Sequence, residues 1–94
     1  MKHTEKEILE KAIQTWGKQA QILMVLEEMA ELQKEILKNI NRGKENLSEL
    51  IDETTDVEIM LAQLKIIYGI GEAVKNHRVE KLEKIEKRLS WESY

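Results

Sequence analysis

Two pairs of acidic residues are spaced so that their side chains could bind one metal ion. Glu28 and Glu31 lie three residues apart, and Glu53 and Asp56 repeat that spacing, starting 22 positions after Glu31. Residues three apart lie on one side of a helix, so each pair can direct two carboxylates at one point. Carboxylate oxygens from two facing helices are suitable ligands for a hard divalent cation.

The remaining residue types narrow the kind of metal. The chain has no cysteine, and neither of its histidines, His3 and His77, follows a glutamate by three residues as in the di-iron helical bundles. Ligation by oxygen alone favours Mg²⁺, with Mn²⁺ as the alternative. Because Mg²⁺ keeps several waters and commonly bridges to substrate phosphates, this ligand set suggests phosphate chemistry.

The position of Glu53 is the most informative one in the sequence. It falls inside an apolar stripe, between Leu50, Val57 and Met60. A carboxylate in such a stripe is costly unless it is paired, protonated or bound to metal. Glu31, by contrast, lies opposite the apolar stripe of its own helix. It can line an enclosed site only if another protomer covers it, so the pattern predicts self-association.

Four helices are predicted to position these carboxylates. The chain has no proline and is rich in good helix formers, so we expect an all-α fold. Helix 1 should follow a Thr4–Glu7 capping box and end at Gly17, and helix 2 should cover 18–41. Helix 3 should run from an Asn46 cap to Tyr68, and helix 4 should cover 72–89. The predicted buried face of helix 2 consists of Ile22, Val25, Leu26, Met29, Leu32, Ile36, Leu37 and Ile40.

Composition excludes several classes of protein. With 94 residues the chain should form one domain, 1–94. A net charge of −3, with acidic and basic residues mixed, argues against a general binder of nucleic acid polymers. The apolar runs are too short to span a membrane. The absence of cysteine and a charged N-terminus favour a cytoplasmic location.

The segments EEMAELQKEI and DETTDVEIMLAQL resemble the two core helices of the MazG-like all-α nucleoside triphosphate pyrophosphohydrolases. The similarity covers about residues 16–89, and the chain resembles the compact single-domain branch of that family. It implies a four-helix bundle-like MazG-type fold, a homodimer or homotetramer, and Mg²⁺-dependent hydrolysis of (deoxy)nucleoside triphosphates to the monophosphate and pyrophosphate, as in house-cleaning of the nucleotide pool.

The resemblance also implies roles for individual residues. Glu28, Glu31, Glu53 and Asp56 would be the metal ligands, and Glu27 would orient the attacking water. Lys81 and Lys84 would contact phosphates, with Lys34 and Arg88 as further candidates. Trp16 is expected to stack on the base or to pack in the core, and Gln21 to hydrogen-bond the base.

Two other functions are compatible with the same pattern. Glutamates are common on exposed helix surfaces, and a Glu-Glu-x-x-Glu cluster alone is typical of a solvated face. The chain could therefore be a non-catalytic helical oligomerisation or interaction module, or a nucleotide or metal sensor that keeps the fold. Magnesium-dependent release of pyrophosphate separates the enzyme from both.

Overall fold

Four helices make up the part of the chain that the computed structural model describes, residues 1–89. They are α1 (Glu5–Trp16), α2 (Lys18–Arg42), α3 (Leu47–Tyr68) and α4 (Gly71–Arg88). This range contains no strand, so the predicted all-α class is confirmed, and the predicted helix ends agree to within one residue. None of the four helices is both long and apolar enough to cross a membrane.

The start of α1 is the capping box that the sequence predicts. The Thr4 hydroxyl oxygen accepts from the Glu7 backbone N–H at 3.1 Å, and the Glu7 carboxylate accepts from the Thr4 N–H at 2.8 Å. These bonds satisfy amide groups that have no partner inside the helix. Gly17 then separates α1 from α2 as a single linking residue, with φ at 91°. A side chain is strained at that angle, so glycine permits the sharp change of direction.

An antiparallel pair of helices, α2 and α3, forms the centre of the fold. The chain turns between them at Gly43, whose φ of 59° is left-handed, as the sequence predicts. The contact between the helices then runs the length of the pair. Asn46 at the start of α3 bonds to Glu35, while Glu53 and Asp56 lie beside Glu28, nearer the start of α2.

A buried hydrogen bond network fixes the register of this pair at its closed end, which is the end where the Gly43 turn joins the two helices. The Asn46 amide donates to the Glu35 backbone oxygen at 2.9 Å and to the Glu35 carboxylate at 3.1 Å. The Asn39 amide donates to Asn46 Oδ1 at 3.2 Å. The sequence predicts Asn46 as a capping side chain for α3, and this is wrong. Asn46 does occupy the N-cap position, but its side chain makes no capping bond, because both of its polar atoms are engaged by α2.

Glu35 remains ionised in this buried position because donors surround it. The bond from Asn46 lowers the pKa of the Glu35 carboxyl below its usual range, and Lys38, 3.2 Å away, lowers it further. The folded state therefore binds a proton less tightly than the unfolded chain does. Glu35 contributes stability above its unfolded pKa, and that contribution is lost as pH falls through the depressed folded pKa.

Within residues 1–89, more polar than apolar side chains are buried. The buried apolar residues are Leu9 and Val25, and the buried polar ones are Gln21, Glu35, Asn46 and Gln63. The predicted buried face of α2 is therefore wrong for most of its members. Only Val25 is buried and Ile22 and Leu32 are half-buried, while Leu26, Met29, Ile36, Leu37 and Ile40 are exposed. The edge that packs on α3 carries Gln21, Val25, Glu28, Leu32 and Glu35.

The fourth helix adds little to this packing. It contacts α3 but neither α1 nor α2, and none of its residues is buried. Val74 is half-buried, whereas Leu82, Ile85 and Leu89, which the sequence predicts on the buried side, are exposed. In the single chain, α4 therefore presents its apolar side to solvent.

We expect Asn46→Ala to lower the free energy of unfolding by about 1–3 kcal/mol, because it leaves the buried Glu35 carboxylate without its closest donor. Urea unfolding followed by circular dichroism measures the change. Asn76→Ala, at an exposed position on α4, is the matched control and should shift the free energy by less than about 0.5 kcal/mol. Equal effects of the two substitutions would show that the Asn46 network does not hold the helix pair.

Candidate metal centre

Three of the four predicted metal ligands converge between α2 and α3. Each of Glu28, Glu53 and Asp56 contributes a carboxylate oxygen, and these three oxygens all lie within 4.8 Å of one another. All three residues are half-buried. The i, i+3 spacing on α3 turns Glu53 and Asp56 toward the same side, where the antiparallel register places Glu28 of α2.

Burial and the neighbouring negative charges destabilise the ionised forms of Glu28 and Glu53. Partial burial raises the pKa of the Glu28 carboxyl, as do the negative charges of Asp56 and Glu53. The pKa of Glu53 is also raised, first by burial and then by Asp56, Asp52 and Glu31. The cluster therefore favours either a bound proton or a bound cation.

One oxygen of the cluster has no partner of its own. Glu53 Oε2 is buried from water and accepts no hydrogen bond in the part of the chain that the structure describes. Within residues 1–89, no lysine, arginine or histidine nitrogen lies within 4.0 Å of the cluster, and the ion pairs Lys38–Glu35 and His77–Glu80 are elsewhere. A buried carboxylate oxygen without donor or cation is a position that a small metal ion can satisfy.

The other two predicted acidic residues lie at the open side of the cluster. Glu31 is exposed on α2 and is not one of the three converging residues, yet its charge contributes to the raised pKa of Glu53. Glu27 is exposed as well and lines the groove that adjoins the cluster. The structure thus places Glu31 near the site and Glu27 at its edge, without bringing either into the converging group.

A groove of about 740 Å³ lies between α1 and the helix pair. Trp16, Gln21 and Glu27 line it together, as do Met60 and Gln63 of α3. Trp16 is 65 % exposed, so the structure does not bury it in the core. Gln21 is buried. Two of the predicted substrate-binding residues therefore share one groove beside the acidic cluster.

Gln63 is a site residue that the sequence reasoning missed. It is 1 % exposed, and its Nε2 donates to the Leu9 backbone oxygen of α1 at 3.4 Å. Its Oε1 is buried and has no partner in the described residues. The available signal was its position seven residues after Asp56, on the same face of the same helix. A glutamine there is an unusual choice for a helix contact unless its amide has a specific partner.

The predicted phosphate-binding cations lie away from the cluster. Lys34 is exposed on α2 and lines a shallow surface groove with Lys38 and Arg42. Lys81, Lys84 and Arg88 are exposed on α4, which contacts only α3. Within residues 1–89 of one chain, nothing brings these α4 side chains to the three carboxylates.

Comparisons of the chain with protein-family models, with curated proteins and with solved structures find no match.

We expect Glu53→Gln to raise the thermal unfolding midpoint of the metal-free protein at pH 7. The pKa values of Glu28 and Glu53 are raised in the folded state, so that state binds protons more tightly than the unfolded chain. Stability therefore falls as pH rises from the unfolded value, near 4.5, through the raised folded values. The substitution removes one repelling charge and should flatten this decline in thermal melts between pH 4.5 and pH 8.

Glu58→Gln is the control for that experiment, because Glu58 is exposed on the same helix and does not belong to the cluster. It should leave both the midpoint and its pH dependence nearly unchanged. A lower midpoint for metal-free Glu53→Gln would mean that the Glu53 charge stabilises the fold, contrary to the repulsion described.

Proposed function

We propose that this protein is a magnesium-dependent hydrolase that converts (deoxy)nucleoside triphosphates to the nucleoside monophosphate and pyrophosphate, as the MazG-like enzymes do. The single observation that carries the proposal is the convergence of Glu28, Glu53 and Asp56 with no protein cation beside them in residues 1–89. House-cleaning of the nucleotide pool in the cytoplasm is the role this activity would serve.

The donor set suits magnesium better than softer metals. Carboxylate oxygens are hard ligands, and neither cysteine nor histidine is present in the cluster. Glu28, Glu53 and Asp56 would hold the ion, with Glu31 joining them from the open side. Magnesium commonly takes only a few protein ligands and leaves positions for water and for phosphate oxygens. Mn²⁺ accepts the same oxygens and should substitute.

The groove beside the cluster has the size and lining of a nucleotide subsite. Its volume of about 740 Å³ lies within the range of small-molecule sites. The Trp16 ring offers an exposed surface on which a base can stack, and the amides of Gln21 and Gln63 offer hydrogen-bonding groups at the groove wall. Glu27 lines the same groove, so a base bound there would extend its phosphates toward the acidic cluster.

The chemistry requires no covalent nucleophile. When bound, magnesium supplies positive charge that offsets the charge of the triphosphate oxygens. Glu27 would accept a proton from a water whose oxygen forms a bond to the α-phosphorus. The α–β anhydride bond breaks, and its electron pair leaves with pyrophosphate. Lys34, Lys81, Lys84 and Arg88 lie away from the cluster in the single chain, so this mechanism assigns them no contact with the phosphates.

A different function is favoured by a different observation. Among residues 1–89, twenty large apolar side chains are exposed, which is typical of a helical module that assembles with itself or with another protein. Self-association of the enzyme, as a homodimer or homotetramer, would use the same surface. Magnesium binding separates the two functions, because only the enzyme requires a bound ion. An ion that binds the folded state alone also stabilises the fold.

If the protein is this hydrolase, it should release pyrophosphate, in the presence of magnesium, from at least one member of a panel of deoxynucleoside triphosphates. Glu53→Gln should reduce kcat/KM at least about 100-fold, since even outer-shell partners of metal ligands cost 10–100-fold. Glu58→Gln should retain the activity of the unmodified chain. Full turnover by Glu53→Gln would overturn the assignment of the site, and absence of hydrolysis across the panel would favour the interaction module.

Trp16→Ala should raise KM about 5- to 150-fold with little change in kcat, because base stacking contributes about 1–3 kcal/mol. Trp16→Phe keeps an aromatic face and should recover most of the loss. Steady-state kinetics at saturating magnesium measure both constants. If Trp16→Ala instead lowers kcat at unchanged KM, the ring does not hold the base.

A further inference from the structure

The most deeply buried side chain along the groove between α1 and the helix pair is that of Gln63. It is 1 % exposed, whereas Trp16, which lines the same groove, is 65 % exposed. Its Nε2 donates to the Leu9 backbone oxygen, while its Oε1 is buried with no partner among residues 1–89. A buried acceptor without a donor destabilises the folded chain, so this oxygen calls for a partner from outside the chain.

The bond to Leu9 determines which way the Gln63 amide faces. A backbone carbonyl oxygen can only accept a hydrogen bond, so the Gln63 nitrogen must lie toward it and the Gln63 oxygen must lie away from it. A glutamine that was free to turn over could offer either atom to a ligand. Because Leu9 engages the nitrogen, Gln63 offers its oxygen, and the matching group on a ligand is a hydrogen bond donor.

Gln63 lies about the length of a nucleoside from the acidic cluster. It follows Asp56 by seven residues, which is about two turns of α3 and about 10 Å along the helix axis. Both Glu27 and Gln63 line the groove, so the groove extends from the edge of the cluster to this buried amide. A nucleotide whose phosphates lie at the cluster would therefore place at Gln63 the edge of its base that is remote from the sugar.

Nucleotide bases differ in the group that they carry at this remote edge. Cytosine and adenine carry an amino group there, which donates, whereas uracil, thymine, guanine and hypoxanthine carry an oxygen, which accepts. An amino group would satisfy the free Oε1 of Gln63. An oxygen in its place would face Oε1 and leave two buried acceptors without a donor, which is costly.

We propose that Gln63 selects the base, and that the groove takes nucleotides whose base carries an exocyclic amino group, cytosine or adenine. The orientation of the base rests on the proposed function, because it requires the phosphates to lie at the acidic cluster. Gln63 is thus a specificity-determining residue and takes no part in the hydrolysis itself. Much of the remaining lining is apolar, with Met24, Ile59 and Met60, and offers few other groups to which a mismatched base could bind.

Binding of nucleoside monophosphates in the presence of magnesium tests the proposal without requiring hydrolysis. Two pairs differ only at the remote edge of the base: dCMP against dUMP, and dAMP against dIMP. In NMR titrations, Kd should be about 5- to 150-fold lower for the amino member of each pair, the range expected for one unpaired buried acceptor. Equal affinities within the pairs, tighter binding of dUMP and dIMP, or no binding of any of the four would overturn the proposal.

Gln63→Met removes the acceptor and keeps a side chain of similar length. It should weaken the binding of dCMP and dAMP and bring the two affinities within each pair close together. Gln33→Met is the matched control, because Gln33 is an exposed glutamine of α2 that does not line this groove. The control should keep the preference of the unmodified chain. A preference that survives in Gln63→Met would show that another group reads the base, and would overturn the role of Gln63.

A second measurement decides the outcome if circular dichroism shows that Gln63→Met has lost its helices. The side-chain amide resonance of Gln63 in the isotope-labelled, unmodified chain should shift on addition of dCMP. The same concentration of dUMP should leave it in place, and equal shifts would overturn the proposal.

The base preference and the proposed activity fail separately. Selective binding of dCMP and dAMP with no pyrophosphate release from any triphosphate would remove the activity and keep the selective groove. Magnesium-dependent release with equal kcat/KM for dCTP and dUTP would keep the activity and overturn the role of Gln63.

Discussion

The register between α2 and α3 is the constraint on which the rest of the structure depends. It is fixed where the Asn46 amide crosses to the backbone and the carboxylate of Glu35. One heptad further from the loop on each helix, the same register brings Glu53 beside Glu28. One heptad further still, Gln21 and Met60 line the groove. A shift of the pair by a single residue would separate the carboxylates and rotate polar side chains out of the contact.

This arrangement explains why so polar a contact is stable. At the closed end, Glu35 is buried but fully provided with donors, and its pKa is lowered. In the middle, Glu28 and Glu53 have no such donors, and their pKa values are raised. The pKa of a glutamate is thus shifted in opposite directions in the two layers. The closed end stabilises the folded chain, and the middle layer keeps an unmet requirement for positive charge, which is the physical basis of the proposed metal site.

Much of this could be predicted from the sequence, because the signals are local. The Thr4–Glu7 spacing gives the start of α1, and Gly43 gives the turn that makes α2 and α3 antiparallel. Once that turn is placed, the i, i+3 acidic pairs bring Glu28, Glu53 and Asp56 together. Three of the four carboxylates predicted to converge lie together and Glu31 is not among them, whereas the metal itself, the activity and the resemblance to MazG-like enzymes stay predictions.

The packing face of α2 could not be read in the same way. Two stripes lie one residue apart on this helix: an apolar one with Ile22, Leu26, Met29, Ile36 and Ile40, and a more polar one with Gln21, Val25, Glu28, Leu32 and Glu35. Apolar content favours the first stripe. Within the chain, however, the second stripe packs on α3, because Asn46 and Glu35 satisfy each other in that register. The spacing of apolar residues along a helix predicts that a face will be covered, but it does not identify the partner that covers it. Gln63 could not be predicted for a related reason. Its partner is the Leu9 backbone oxygen, and because every residue has such an oxygen, the sequence does not mark this one.

The one-residue link at Gly17 has a consequence for the groove between α1 and the helix pair. Two torsion angles at this residue set the angle at which α1 leaves α2, and no other loop residue shares the task. A methyl group there would meet no neighbouring atom within 4 Å, so a side chain at this position is disfavoured by the φ of 91° and not by a steric clash. The width of the groove is therefore set by the backbone of Gly17 at one end of α1 and by the bond from Gln63 to the Leu9 backbone oxygen further along that helix.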